Sequence, residues 1–196
     1  SKNSGKTDEP NGTYVTFIPD DSPEVFSSYQ YNEDFIKERL WNYAYLNKGL
    51  SIEFNKKIIR SSGGLMDLVK KILGDDGLYP LINYKSKRLE FSFTHTDGYG
   101  ESYHSYVNGQ YTSDGGTHEA AFKEGVLKGI NEFYHKSWAA PEIRDGIVAT
   151  VAIKVMNPVF ESQTKNKLGN TDVRSWIVPE VKEAVVDALM KNKEIA

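Results

Sequence analysis

The run Gln163-Thr164-Lys165-Asn166-Lys167-Leu168-Gly169-Asn170 crowds amide, hydroxyl and two ammonium groups into one short polar segment. Lysine supplies a point charge with rotatable donors and glutamine a neutral donor, a combination suited to the terminal phosphate of a nucleotide. The segment follows the most apolar stretch of the chain, Gly146 to Met156, so it reads as a polar finger on a rigid base. A plain solvated basic loop is the other reading, and the residues alone leave it open.

The remaining candidates are weaker. Gly5-Lys6-Thr7 matches the end of a phosphate-binding P-loop but lacks the earlier glycine and the preceding strand. His118-Glu119 starts like the zinc-protease pattern HExxH, yet Phe122 stands where the second histidine belongs. His95 and His104 are placed to face one another across an expected hairpin, but no third ligand or triad partner joins them, and they read as structural. Asn11-Gly12-Thr13 is a glycosylation sequon only in a secreted protein, and the pairs Asp20-Asp21 and Asp75-Asp76 sit at turns and read as solvated. No metal site is expected.

The elements that must carry the finger are readable from periodicity. Thr13–Ile18 has the composition of a short strand and is followed by a break at Asp20-Asp21-Ser22-Pro23, after a polar tail ending in Pro10-Asn11-Gly12. Helical spacing from Asn32 to Leu46 and over Gly64–Leu73 brackets a strand at Leu50–Phe54. Arg88–Thr96 and Glu101–Gln110 alternate around Asp97-Gly98-Tyr99-Gly100, which predicts a hairpin. Gly115-Gly116 then gives turn geometry, and Thr117 is the expected cap of a helix reaching about Lys136, with Gly125 and Gly129 permitting close approach to a sheet. Gly146–Met156 is the expected central strand, and Pro179 suits the first turn of a last helix to Lys191. The outcome is one α+β domain, a mixed sheet of about four strands with helices packed on one face.

Composition excludes several classes. Twenty-four Lys+Arg against 27 Asp+Glu give a net charge of −3, so the surface as a whole does not grip nucleic acid and any DNA contact must be local. No apolar run has membrane-spanning length, no signal-peptide core opens the chain, and Cys 0 fits a reducing compartment, so the expectation is a cytoplasmic protein with no membrane partner.

VFESQTKNKLGNTDVR resembles the QTK loop of the B subunits of DNA gyrase and topoisomerase IV, the ATPase subunits of bacterial type IIA DNA topoisomerases. GTYVTFIPDD, YAYLNKGLSIEF, YVNGQYTSDGGTHEAAF and IRDGIVATVAIKV are similar to segments of that family in the same order, over about residues 12–175. The resemblance implies a transducer domain of ribosomal-protein-S5-domain-2-like fold at residues 22–196. It makes residues 1–21 a tail with the last strand of a preceding GHKL-type ATPase domain. It implies that Lys165 pairs with the ATP γ-phosphate and that Gln163 hydrogen-bonds beside it. ATP and Mg would belong to the full-length protein, with none bound to this segment, which alone would be inactive and monomeric. Partners would be the protein's own ATPase domain, the topoisomerase A subunit and DNA, in an assembly of two A and two B subunits. Lys123 and Lys128 on the long helix and Arg144 at IRDG are candidate DNA-facing residues, and for Arg144 bracing of the fold is equally open. YVNGQYTSDGGTH looks nearer to topoisomerase IV than to gyrase. A stand-alone S5-like module binding RNA or phosphate through the basic loop is the rival reading.

Overall fold

The computed structural model describes residues 5, 6, 8, 11–16, 18–20, 22, 24–26 and 28–196. The P-loop-like match at Thr7, the turn at Pro10, the strand residue Phe17 and the break residues Asp21 and Pro23 lie outside the described residues. Contacts divide the chain into residues 1–36 and 37–196. In the first unit, Ser22 accepts the amides of Val25 and Phe26 at 2.9 and 3.0 Å, and Phe26, Tyr29 and Tyr31 stack edge to face in series. The strand expected over Thr13–Ile18 does not form among the described residues there, and Tyr14, Val15 and Ile18 are exposed. A strand has no ladder of its own, and here no neighbour among the described residues supplies one.

Helix α1 (Glu33–Leu46) starts where expected, with the Phe35 amide donating to Asn32 Oδ1 at 3.0 Å as an N-cap requires. A two-stranded hairpin follows, β1 (Ile52–Phe54) and β2 (Lys57–Ile59), turned through Asn55 and Lys56 at φ 50° and 61°. Helix α2 (Leu65–Leu73) leads to β3 (Ile82–Lys85), β4 (Leu89–His95), β5 (Ser102–Val107) and β6 (Gln110–Tyr111). Helices α3 (Thr117–Tyr134) and α4 (Ala140–Arg144), strand β7 (Ile147–Ile153) and helix α5 (Arg174–Lys191) complete the chain. Among the described residues, no helix is long and apolar enough to cross a membrane.

The main sheet has five strands in the order β3-β4-β7-β5-β6, with β7 central as expected. Its mixed character comes from β7, antiparallel to β4 and parallel to β5. The hairpin expected between Arg88–Thr96 and Glu101–Gln110 is therefore split, because β7 inserts between its arms. Gly146 guides that insertion: its amide donates to Gly100 O at 2.7 Å and its carbonyl accepts the Thr96 amide at 2.9 Å. A Cβ on Gly146, at φ 77°, would stand 2.4 Å from Thr96 O. The split also separates the two histidines, since His95 pairs with Ile147 and His104 with Thr150, residues of opposite parity on β7. His95 is held by Tyr79 Oη at Nδ1 and by Ile143 O at Nε2, at 2.5 and 2.7 Å, which is a structural role.

One sheet face carries Leu89, Phe91, Phe93, Val107, Ile147, Ala149, Val151 and Ile153 and packs on α3 and α5. Phe122 of α3 meets Phe91 and Phe93 with ring centroids 5.3 and 5.9 Å apart. Each such buried ring contributes about 1.5–3 kcal/mol by leaving water. The other face is covered too: Trp41 and Tyr45 of α1 and Leu65 and Leu68 of α2 pack with Tyr106, Tyr111 and Ala152. Helices thus lie on both faces rather than one. The second face also carries Ser92, Thr94 and Thr150, polar residues that are nonetheless fully buried.

Two helix details depart from expectation for steric reasons. Gly125 and Gly129 admit α5, not the sheet, since added Cβ atoms would stand 2.6 and 2.9 Å from the Cβ atoms of Val181 and Val185. Pro179 lies inside α5, which begins a turn and more earlier at Arg174.

Burial pushes the imidazole of His118 down to about 4 and holds those of His95 and His104 below the usual histidine range. A depressed folded-state value means the unfolded chain binds more protons between about 4 and 6.5, so stability rises with pH across that window. The contribution of His118 is complete above about 6.5 and lost as pH falls toward 4, on the order of 3 kcal/mol at most. Urea midpoints should fall between pH 7 and 5, and His118→Gln should show a shallower fall; identical slopes would refute the assignment.

Candidate functional site

The polar finger is a small hairpin between β7 and α5, built outward from the core. The Asn108 side chain grips Val155, with Nδ2 donating to its carbonyl at 2.8 Å and Oδ1 accepting its amide at 2.9 Å. Asn170 does the same lower down, its Oδ1 accepting the Val159 amide at 2.6 Å and its Nδ2 donating to Asn157 O at 3.3 Å. The two arms then pair: Gly169 N donates to Val159 O at 2.8 Å, and Glu161 N to Lys167 O at 3.0 Å. Phe160 and Leu168 form an antiparallel bridge.

The base of the hairpin is joined to the start of α3 by backbone alone. Leu168 N donates to Gly115 O at 3.2 Å, and Thr117 N donates to Leu168 O at 3.0 Å, closing a parallel bridge between Leu168 and Gly116. A third bond, Asp114 N to Asn166 O at 3.0 Å, extends the contact toward the tip. Only glycine fits at 116: a Cβ there would stand 2.5 Å from both the nitrogen and the oxygen of Leu168, and φ is 132°. This corrects the expected helix cap. Gly116 holds the N-cap position, and the first free amide of α3, on Thr117, is satisfied by Leu168 O instead of by a side chain.

At the tip, Lys165 N donates to Ser162 O at 3.1 Å and the hydroxyls of Ser162 and Thr164 lie 2.6 Å apart. Gln163, Thr164 and Lys165 are exposed. Lys165 adopts a left-handed backbone, φ 58°, which costs a residue with a Cβ about 1–2 kcal/mol. The two lysines of the finger differ in the charge of their surroundings. Lys167 Nζ is bound to Glu161 Oε2 at 3.1 Å, whereas Lys165 has no carboxylate partner among the described residues. The tip therefore offers an unneutralised ammonium beside a glutamine amide and a hydroxyl, a donor set that fits a phosphate oxyanion.

The candidate DNA-facing residues are not gathered at this tip. Lys123 Nζ bridges Glu119 and Glu101 at 3.0 and 3.4 Å and lies 3.8 Å over the Tyr103 ring. Lys128 Nζ binds Glu124 at 2.7 Å, and Glu124 also takes two bonds from Arg174, at 2.7 and 2.8 Å, tying α3 to α5. Arg144 ends α4, with its Nε buried and without a hydrogen-bond partner. The residues that sequence reasoning passed over are Leu168, Asn108 and Asn170. Leu168 was signalled by being the lone large aliphatic residue of a polar run, and it is fully buried.

Gly116→Ala should cost about 2–4 kcal/mol, combining an overpacking clash with backbone strain. Gly74→Ala is the control, since Gly74 is also left-handed, φ 60°, but meets nothing within 4 Å. Urea denaturation should show the control losing only the backbone strain, about 1–2 kcal/mol; equal losses would mean that contact with Leu168 is irrelevant.

The DNA gyrase B family model matches residues 33–196. The chain is 48% identical over 192 residues to the B subunit of DNA topoisomerase 4 from Borreliella burgdorferi, covering 97% of this chain and 32% of that protein. It is 34% identical over 213 residues to the B subunit of DNA gyrase from Clostridium acetobutylicum, covering 97% of this chain and 33% of that protein. The chain thus spans about a third of the length of these curated relatives. Among solved structures, the 43K ATPase domain of Thermus thermophilus gyrase B, in complex with an aminocoumarin, superimposes with a TM-score of 0.74 at 28% identity, over 89% of this chain and 52% of that one. With the family pattern running through α1, β5, α3, β7 and the finger, and the fold shared, this chain belongs to the DNA gyrase B family.

Proposed function

We propose that this chain is the transducer of the ATPase subunit of a type IIA DNA topoisomerase, coupling ATP binding and hydrolysis in a preceding ATPase domain to DNA strand passage. The observation that carries the reading is the exposed Gln163-Thr164-Lys165 tip, whose ammonium, unpaired among the described residues, stands on a hairpin bonded through Leu168 to the start of α3. In this reading residues 1–21 belong to the tail and last strand of the ATPase domain. ATP with Mg is held there, and its chemistry when bound is hydrolysis of the terminal phosphoanhydride. The A subunit supplies DNA cleavage.

Lys165 contributes a charge-assisted contact to the γ-phosphate and Gln163 a neutral one. While both contacts stand, the hairpin and α3 are held toward the nucleotide. Once the phosphate leaves, Lys165 has nothing to hold, and the rigid body of α3 and α5 is released to tilt. Of the candidate DNA contacts, Arg144 is the best placed electrostatically, since Lys123 and Lys128 are already matched by carboxylates.

In the full-length protein assembled with its A subunit, Lys165→Ala should remove a contact of about 1.5–3 kcal/mol and weaken the ATP-bound state roughly 10- to 100-fold. ADP affinity and ATP-independent DNA cleavage should be retained. Lys167→Ala, which removes an ammonium already bound to Glu161, should be much milder. Strand passage by Lys165→Ala at the wild-type rate would refute the proposal.

A further inference from the structure

His118 is fully buried, yet it belongs to no metal set among the described residues and its Nδ1 has no hydrogen-bond partner. Its other nitrogen, Nε2, lies 3.3 Å from Thr112 Oγ1. Thr112 Oγ1 has one proton, and its short bond to Ser105 O, 2.8 Å, uses it. Nε2 must then be the donor toward Thr112, which fixes the tautomer and leaves Nδ1 as a bare acceptor. Ser105 Oγ, 2.7 Å from Thr112 Oγ1, completes a buried chain of Ser105, Thr112 and His118.

The place of this chain in the fold gives it meaning. Thr112 and His118 stand at the two ends of the turn that carries Gly115, Gly116 and Thr117, the backbone onto which the finger is bonded. The turn is otherwise closed by one bond, Gly115 N to Thr112 O at 3.0 Å. Thr112 is itself tied to β5 by its amide, which donates to Ser105 O at 2.9 Å. A buried hydrogen bond across the ends of a turn holds the peptides between them in one orientation, where an apolar side chain of similar volume leaves them free to pivot. Here those peptides present Gly115 O and the Thr117 amide to Leu168.

We propose that His118, through Thr112 and Ser105, is a positioning residue for nucleotide sensing: it sets the turn on which the Leu168 base of the finger rests, and so the reach of Lys165. This rests on the function proposed above. His118 touches no nucleotide and acts only through backbone geometry.

The test uses the full-length protein and reads the ratio of affinities for a non-hydrolysable ATP analogue and for ADP, which general destabilisation leaves unchanged. His118→Leu should shift that ratio roughly two- to tenfold toward ADP. His118→Gln, which keeps a donor near the position of Nε2, should restore most of it. Thr112→Val removes the acceptor with little change of shape and should reproduce the His118→Leu shift if that variant folds poorly. Combined in one protein, the two substitutions should be less than additive. Lys165→Ala, run alongside, separates the two levels of the account. A ratio lowered by Lys165→Ala but unmoved by His118→Leu and Thr112→Val overturns the positioning role alone. A ratio unmoved by Lys165→Ala overturns the phosphate-sensing reading and this inference with it.

Discussion

Leu168 and Gly116 approach each other backbone to backbone, and the candidate site depends on that approach. A loop as polar as residues 161–167 has no hydrophobic reason to hold one shape. What orders it is the pair of bonds from Leu168 to Gly115 and Thr117, made where burial of the Leu168 side chain excludes competing water. The absence of a side chain at 116 is what brings the two segments within hydrogen-bonding distance. Because one of those bonds satisfies the first free amide of α3, helix and finger are stabilised by the same contact. A force on the tip is then passed to a helix whose glycines lie directly against α5.

Electrostatics assigns different work to neighbouring cations. Lys123, Lys128 and Lys167 each face a carboxylate within the fold, so their charges are largely spent on internal pairing. These pairs are partly exposed and individually weak, but they leave little net field for a partner. Lys165 is different: it sits in the tight turn closed by its amide on Ser162 O, and the neighbouring carboxylate, Glu161, is taken by Lys167. A strained cation without a carboxylate partner among the described residues, at the end of a braced hairpin, is a poor design for stability and a good one for capturing an anion.

Much of this was legible in the sequence, and the failures have physical causes. Local periodicity located α2 and α3 because each buries one regular face, and β7 was legible because its run is almost wholly apolar, as a strand buried on both sides must be. The insertion of β7 between β4 and β5 was not legible, since Asp97–Gly100 has hairpin chemistry and the competing ladder comes from residues about fifty positions away. Ser92, Thr94 and Thr150 disguised the second covered face as a solvent face. Gly125 and Gly129 announced a close approach, but their spacing cannot name the partner, which is α5 and not the expected sheet. For the site, residue types located the finger, and the family resemblance singled out Gln163 and Lys165. The ion pair that sets Lys167 apart from Lys165, and the Gly116–Leu168 contact, depend on three-dimensional placement that no spacing encodes.

The central claim is that the finger and α3 are one mechanical unit joined at Leu168. Amide hydrogen exchange measures this most directly, because it reports the free energy needed to open each bond. The amides of Thr117 and Leu168 should exchange only through opening nearly as costly as that of the β7 amides, while those of Gln163 and Thr164 exchange readily. Exchange of Thr117 and Leu168 as fast as the tip would show a finger hinged at its base, and would contradict the account.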